Sequence, residues 1–128
     1  MAIEQEIESV LSDVESAFSR LDIEQWLRSF HPTRIMVLPN AVLAPSSAAE
    51  CEELLGGYIE NLRSRGYNRS NLDQINIRPL TDTTAMASTV WSRFNGDSLI
   101  ERVGATYLFI KANDKWQITM VTVHPDSA

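Results

Sequence analysis

The chain has 128 residues, 44% of them hydrophobic and 22% charged, and a formal net charge of −6 at neutral pH. This length and composition predict one folded domain, residues 1–128, with a single core. The acidic charge opposes binding to a phosphate backbone, so we expect no nucleic-acid partner. No run approaches the roughly 18 apolar residues of a membrane span, so we expect no membrane partner either.

The N-terminus and the single cysteine indicate a compartment. The opening Met-Ala-Ile-Glu-Gln-Glu is acidic and helix-patterned, the opposite of a basic and then apolar secretory signal. Cys51 is the only cysteine in the sequence, which fits a reducing environment. We therefore predict a cytoplasmic protein and interpret Cys51 as a small, buried helix residue.

Two helices and a strand are predicted at the start of the chain. Apolar residues recur at helical spacing over residues 3–21. Asp22, with Gln25 three residues later, is typical of the N-cap of a second, short helix. Because proline disfavours helical geometry in the residue before it, His31-Pro32 should end this helix. An extended run, Arg34–Leu38, follows.

A third helix follows a short apolar edge segment. Ser47 and Glu50 form a capping-box pattern at its start, and Gly66 is a plausible residue just after its end. Gly56-Gly57 within this helix costs about 1 kcal/mol per glycine relative to alanine. We expect close packing against a sheet to compensate for that cost.

Four long strands complete the chain. A type I′ turn at Asn95-Gly96 should connect the second of these strands to the third, and a turn at Asn113-Asp114 should connect the third to the fourth. Strands of about ten residues or more exceed the usual five to six, so the sheet should curl around a pocket. The predicted strands are Asn68–Leu80, Thr83–Phe94, Leu99–Lys111 and Trp116–His124.

This order predicts an α+β fold in which a strongly bent mixed or antiparallel sheet wraps around three helices from the N-terminal half. The order resembles the NTF2-like superfamily of cone-shaped proteins, which includes ketosteroid isomerases, scytalone dehydratase and SnoaL-type polyketide cyclases. The resemblance spans essentially the whole chain. It rests on Asp22-Ile-Glu-Gln-Trp, the strand after His31-Pro32, the helix start Ser-Ser-Ala-Ala-Glu, and the final Lys-Trp-Gln-Ile-Thr-Met-Val-Thr-Val-His.

The isomerase branch of that superfamily has a carboxylate base in an Asp-Pro step and a tyrosine oxyanion donor on the first helix. In this sequence those positions fall on Leu38 and near Val14. Neither side chain can exchange a proton. The resemblance therefore implies no ketosteroid isomerase activity, although an acid or base on another strand stays open. Whether the protein is an enzyme is not decided by the sequence.

The sequence contains two histidines, and histidine is the side chain that most often serves as an acid, a base or a metal ligand near neutral pH. We interpret His31 as structural, because the helix dipole would stabilise a cation at the C-terminal end of the second helix. His124 ends the last strand and is a weak candidate for a catalytic or ligand-binding role. Neither histidine has partners at metal-ligand spacing, so we expect no metal site and no cofactor.

Alternation on the strand before Asn95 groups Trp91 and Arg93 on one face, and either face could point inward. If Trp91 and Arg93 face inward, Arg93 could bind an anionic group and is the second weak catalytic candidate. Glu101 beside Arg93 is interpreted as a cross-strand ion pair. The predicted ligand-binding residues are Trp26, Phe30, Met36, Tyr58, Trp91, Arg93, Tyr107 and His124.

Three hypotheses follow. The leading one is a pocket protein that binds a small apolar or aromatic ligand with a polar or anionic group. The second is a SnoaL-like lyase, isomerase or cyclase. The third is a dimeric association module with a vestigial pocket. A homodimer through the sheet is predicted because seven apolar strand residues cannot all point into one cone: Ala85, Ala87, Val90, Leu108, Ile110, Val121 and Val123.

Overall fold

Three helices and one six-stranded sheet make up the structure, a computed structural model that describes residues 2–126. All three helices lie in the N-terminal half, as the α+β prediction requires. The helices are α1 (Ile3–Ser19), α2 (Ile23–Leu27) and α3 (Ala48–Ser64). The strands are β1 (Phe30–Leu38), β2 (Ala41–Leu43), β3 (Arg69–Pro79), β4 (Thr84–Asn95), β5 (Ser98–Ala112) and β6 (Lys115–His124).

The sheet is mixed. Its strand order is β2-β1-β6-β5-β4-β3, in which β1 and β6 run parallel and all other neighbours run antiparallel. The register shifts once in each of the pairs β1–β6, β3–β4, β4–β5 and β5–β6. Such irregularities bend strands and increase their twist, so the long strands curve around the helices.

The core lies between α1 and the concave face of the sheet. The buried stripe of α1 includes Ile7 and Leu11, and it meets β-strand residues such as Phe109 and Ile118, all four with no exposed surface. At one end of the core, the indole Nε1 of Trp116 donates to Glu6 Oε2 at 2.5 Å. This contact ties the start of α1 to β6.

The predicted helix ends are confirmed for α3 and corrected for α2. Ser47 Oγ accepts the Glu50 N–H at 3.1 Å, and Gly66 follows α3 with a φ of 74°. The Asp22 cap of α2 is also present, through a 3.1 Å bond from the Gln25 N–H. However, α2 ends at Leu27 rather than at His31-Pro32.

His31 and Pro32 lie inside β1, because the strand begins at Phe30 rather than after Pro32. The Ile118 N–H of β6 donates to the Ser29 carbonyl at 2.9 Å, and Phe30 pairs with Ile118. The imidazole Nδ1 of His31 accepts the Thr33 N–H at 2.9 Å. His31 therefore does not cap the C-terminus of α2, and that interpretation was wrong.

The β4–β5 turn differs in type from the prediction, whereas the β5–β6 turn lies at Asn113-Asp114 as predicted. The β4–β5 loop consists of Gly96-Asp97, because Asn95 pairs with Ser98, and only Gly96 has a positive φ. This is the pattern of a type II′ turn rather than the predicted type I′ turn. The type I′ pattern occurs instead at Asn113-Asp114, where both residues have a positive φ, 53° and 61°.

The glycine pair of α3 is not explained by close packing. A Cβ atom added at Gly56 or at Gly57 would meet nothing within 4 Å. The expected contact with the sheet at these two positions is therefore absent. The helix accepts two poor helix formers with no steric requirement for them.

Candidate ligand-binding site

A cavity of about 400 Å³ lies between the three helices and the concave face of the sheet. Tyr58 and the β1–β2 turn at Pro39-Asn40 are exposed and border its mouth. The walls are mostly aliphatic and aromatic. The cavity is lined by Val14, Phe18, Trp26, Met36, Leu38, Pro39, Asn40, Leu55, Tyr58, Ser70, Trp91, Arg93, Glu101, Val103, Ala105, Tyr107, Val121 and Val123.

The structure decides which face of β4 points inward. Ala85, Ala87, Thr89 and Trp91 are buried on the concave side, and Arg93 continues the same face. On β5 the inward face carries Glu101, Val103, Ala105 and Tyr107, which pair in register with that set. The face that contains Trp91 and Arg93 therefore forms part of the cavity wall.

Arg93 is held at the edge of the cavity by three polar neighbours. Its Nε donates to the Tyr58 hydroxyl at 2.8 Å and to Glu101 Oε2 at 3.2 Å, and its Nη1 donates to Ser70 Oγ at 3.0 Å. Its guanidinium also lies 4.5 Å from the centre of the Phe18 ring. The side chain is only 12% exposed. The predicted ion pair with Glu101 is present.

This cluster carries a net positive charge. Glu101 Oε1 lies 3.7 Å from Arg65 Nη1, so one carboxylate faces two guanidinium groups. Burial lowers the pKa of Arg93. Tyr58, Tyr67 and Glu101 together raise it by more than burial lowers it, so the pKa lies above its ordinary value. Arg93 therefore remains a cation.

The Tyr58 hydroxyl joins the two charged groups. It donates to Glu101 Oε2 at 2.7 Å while it accepts from Arg93. Burial raises the pKa of this phenol well above its ordinary range, and the Arg93 charge only partly opposes that effect. Tyr58 is thus a neutral hydrogen-bonding group at neutral pH.

A second polar group lies on the cavity wall at Tyr107, which is 5% exposed. Burial raises the pKa of its phenol to about 12, against the opposing influence of Arg93, Trp91 and Thr89. The Trp91 Nε1–H donates to Thr89 Oγ1 at 2.8 Å, and the Thr89 hydroxyl donates to the Ala105 carbonyl at 2.6 Å. Trp91 and Thr89 are thus hydrogen-bonded to each other and are also the hydrogen-bonding neighbours of the Tyr107 phenol.

Six of the eight predicted ligand-binding residues line this cavity: Trp26, Met36, Tyr58, Trp91, Arg93 and Tyr107. Phe30 and His124 do not. Phe30 lies behind the wall, with its ring centre 4.7 Å from that of Trp26. The structure thus brings together most of the predicted set, and its role in binding remains a prediction.

His124 points to the convex face of the sheet. Its Nε2 lies 2.8 Å from Thr106 Oγ1 and its Nδ1 lies 2.7 Å from the Pro125 carbonyl oxygen. It pairs with Gly104, whose missing side chain leaves room for the imidazole ring. His124 therefore cannot reach a ligand beside Arg93, and it borders a separate polar groove with Asp73.

A register shift explains the orientation of His124. Trp116 and Ile118 are buried on the concave side, so simple alternation would place His124 there too. However, Leu108 pairs with Met120 and Phe109 pairs with Ile118, which leaves Thr119 as an extra residue in β6. After this bulge the odd-numbered residues Val121 and Val123 face the cavity instead.

Several lining residues were not predicted as site residues. Phe18 and Leu55 belong to the apolar stripes of α1 and α3, which already indicated an inward face. Ser70 gave no signal in the sequence, because its contact with Arg93 joins residues that are far apart in the chain. Leu38 and Val14, the positions compared with the isomerase residues, both line the cavity.

Two further properties concern residues 2–126 as a whole. No helix in this range is long and apolar enough to cross a membrane. No group of three or more histidine, cysteine, aspartate or glutamate side chains in the same range is arranged to hold a metal ion.

The three helices against a bent sheet, with a cavity between them, are the architecture of NTF2-like proteins. A family model described as NTF2-like protein (DUF6841) matches residues 5–126. The chain therefore belongs to this family. A search of curated proteins found no match.

Solved structures show the same fold. An NTF-2 like protein of unknown function from Shewanella oneidensis is 19% identical, with a TM-score of 0.74 over 96% of this chain and 99% of that one. An NTF2-like protein with a cystatin-like fold from Novosphingobium aromaticivorans is 14% identical, with a TM-score of 0.77 over 98% and 83%. A ketosteroid isomerase-like protein from Erwinia carotovora atroseptica is 13% identical, with a TM-score of 0.69 over 97% and 96%.

Proposed function

We propose that this protein binds a small apolar or aromatic molecule that carries one anionic group, with the anion at Arg93 and the apolar part in the cavity. The observation that supports this proposal is a largely buried guanidinium at the edge of an otherwise apolar cavity. The local charge around it is positive, since Arg65 and Arg93 outnumber Glu101. A guanidinium with free N–H groups is well suited to a carboxylate.

The energetics favour such a ligand. Burial of apolar surface contributes roughly 25 cal/mol per Å², and a cavity of this kind fixes ligand orientation through a few polar groups. Arg93 is already held by Tyr58, Glu101 and Ser70. Binding would therefore cost little of the side-chain entropy that a free surface arginine would lose.

Titration with 2-naphthoate and its uncharged analogue 2-naphthamide tests this proposal. Trp26 and Trp91 line the cavity, so their fluorescence reports occupancy. We expect the carboxylate to bind the native protein more tightly, by about tenfold for a charge-assisted hydrogen bond of roughly 1.4 kcal/mol. If neither compound binds, or if both bind with equal affinity, the proposal is contradicted.

The matched variants are Arg93→Gln and the double substitution Arg93→Gln with Glu101→Gln. The single substitution should remove the preference for the carboxylate, because it deletes the cation. The double substitution removes both charges of the Arg93–Glu101 ion pair. It therefore avoids leaving the Glu101 carboxylate with Arg65 as its single cationic partner, which is the side effect of the single substitution. If the double variant keeps the preference, the anion is bound elsewhere.

A lyase, isomerase or cyclase is the second candidate, and the placement of Glu101 favours it. Its carboxylate lines the cavity and is hydrogen-bonded to Tyr58 at 2.7 Å, so a general base would be within reach of a bound ligand. Turnover with a pH-dependent rate that Glu101→Gln abolishes would support this function. Because Leu38 and Val14 carry no ionisable group, background activity in a ketosteroid isomerase assay remains our prediction.

We also propose a homodimer through the convex face of the sheet. Ala85, Ala87, Val121 and Val123 face the concave side, whereas Val90, Leu108 and Ile110 face the other side. Leu108 and Ile110 are only half-buried in the single chain. Sedimentation at micromolar concentration should show a species of twice the chain mass, and only a monomer would contradict this. We propose a cytoplasmic location as well, because a single cysteine, Cys51, fits a reducing compartment.

If the dimer forms and neither naphthalene compound binds, the third hypothesis is favoured. The protein would then be an association module, and the cavity would have no ligand. The two measurements together therefore separate the hypotheses.

A further inference from the structure

Glu101 is a carboxylate that the protein itself places on Arg93, at the wall of the cavity. Its Oε2 accepts a hydrogen bond from the Tyr58 hydroxyl at 2.7 Å and another from the Arg93 Nε–H at 3.2 Å. Two donors thus converge on one carboxylate oxygen. A ligand carboxylate that binds Arg93 meets a group of its own kind already in that place.

The other oxygen of Glu101 faces a second cation. Glu101 Oε1 lies 3.7 Å from Arg65 Nη1. Other contacts also hold Arg65, because its Nη2 donates to the Ile100 carbonyl at 2.9 Å and its Nη1 donates to Asn61 Oδ1 at 3.4 Å. The side chain of Arg65 is 43% exposed, against 12% for Arg93. Arg65 is therefore a second partner for Glu101 on the more exposed side of the cluster.

The charges of this cluster balance only when one more anion is present. Arg65 and Arg93 are two cations, and Glu101 supplies one carboxylate. Tyr58 is neutral, since burial raises the pKa of its phenol well above the ordinary range. Partly buried charges are far less costly when they are paired than when they are not. A ligand with a single negative charge gives each guanidinium one carboxylate partner.

We infer that Glu101 is an internal competitor for the anion site: it pairs with Arg93 in the free protein and passes to Arg65 when a ligand carboxylate takes its place. This inference rests on the proposed function of Arg93. The bonds from Arg93 to Tyr58 and to Ser70 do not involve Glu101, so the guanidinium keeps its position during the exchange. The ligand class is thereby narrowed to monoanions.

Removal of the competitor tests this inference on the full chain at neutral pH. Glu101→Gln keeps the shape of the side chain and an acceptor oxygen for Tyr58, but it carries no charge to pair with Arg93. We expect its affinity for 2-naphthoate to exceed that of the native protein by about three- to tenfold, because charge-assisted hydrogen bonds are the stronger ones. Its affinity for the uncharged 2-naphthamide should stay within about twofold of the native value.

Glu60→Gln is the matched control. Glu60 Oε1 lies 3.4 Å from Arg63 Nη1 on α3, and the Glu60 side chain is 73% exposed. This substitution changes the net charge by the same amount as Glu101→Gln. It should leave both affinities unchanged, since an exposed charge is screened by salt. An equal gain in affinity for 2-naphthoate in the two variants would reflect net charge alone and would overturn the inference.

A second variant approaches the exchange from the other partner. Arg65→Gln removes the alternative partner of Glu101, and Arg65 is not among the residues that line the cavity. We expect this variant to bind 2-naphthoate about three- to tenfold more weakly than the native protein, and to lose most of that effect when Glu101→Gln is also present. An effect of equal size in both backgrounds would mean that Arg65 attracts the ligand directly, which contradicts an exchange through Glu101.

The outcomes separate this inference from the proposed function. If the native protein prefers 2-naphthoate to 2-naphthamide but Glu101→Gln binds the acid no more tightly, Glu101 does not compete for Arg93. The inference is then wrong, while the proposed function stands. If neither the native protein nor Glu101→Gln binds 2-naphthoate, the proposed function fails and the inference fails with it. Circular dichroism and thermal unfolding check that each variant is folded.

Discussion

The Nε atom of Arg93 donates a hydrogen bond of 2.8 Å to the hydroxyl of Tyr58, and this bond connects β4 to the middle of α3 across the edge of the cavity. Tyr58 in turn donates to Glu101 on β5. One phenol thus links a helix to two neighbouring strands. The orientation of Arg93, the candidate anion-binding group, depends on this link.

Tyr58→Phe should lower the free energy of unfolding by about 1 kcal/mol, the usual net value for lost hydrogen bonds of a partly exposed group. Tyr58 is 38% exposed, so water replaces some of what the hydroxyl provides. Urea denaturation of both proteins measures the difference. An unchanged midpoint would show that the link contributes nothing to stability.

Gly57→Ala should stabilise the protein by about 0.5 to 1 kcal/mol, because alanine is the better helix former. An added Cβ at this position has open space around it. Gly66→Ala is the control: its φ of 74° and its contact with the Asn95 side chain make the same change unfavourable there. Thermal unfolding should move in opposite directions for the two variants, and a shift in the same direction would refute this account.

Gly104→Ala should destabilise the protein, since a Cβ at this position would overlap the His124 ring and lie 2.5 Å from the Pro125 carbonyl oxygen. Overpacking of this kind costs roughly 1 to 3 kcal/mol. Adding His124→Ala should recover part of the loss, because the ring is one of the two obstacles. Equal stability of the single and double variants would mean that the backbone alone sets the cost.

The buried phenol of Tyr107 should make the protein less stable at alkaline pH. Its pKa rises from 10 in the unfolded chain to about 12, so its contribution is fully present below pH 10 and is lost as the pH rises through about 12. Between pH 9 and pH 11 the native protein should lose about 1 kcal/mol more than Tyr107→Phe does. Cys51 and Tyr58 titrate in both proteins, so they cancel in this comparison. Parallel losses in the two proteins would contradict the assignment.

Cys51 should react with a thiol reagent only when α3 opens. Its side chain has no exposed surface, and burial raises the pKa of the thiol to about 11 despite the nearby Arg34. Labelling of the folded protein with a chromogenic disulfide should therefore be at least a hundredfold slower than in urea, roughly as expected for a protected core group. Labelling at the rate of the unfolded chain would show that this part of α3 is open.

Local sequence signals determined much of the fold. The caps at Asp22 and Ser47, the glycine after α3 and the long strands are all where the sequence predicts them, because each depends on residues a few positions apart. The Arg93–Glu101 pair was also predictable, since a hairpin brings such neighbours into register. The order of helices and strands was sufficient to indicate the NTF2-like fold.

Contacts between distant residues decided the rest. Helix α2 ends at Leu27, and the Ser29 carbonyl just after it accepts a backbone hydrogen bond from Ile118 of β6. No local sequence pattern reveals that hydrogen bond. The extra residue at Thr119 reversed the alternation of β6 and turned His124 away from the cavity. Tyr58 and Ser70 meet Arg93 from elements far apart in the sequence. Periodicity in one strand cannot reveal a bulge, because a bulge is defined only by the register of the strand beside it.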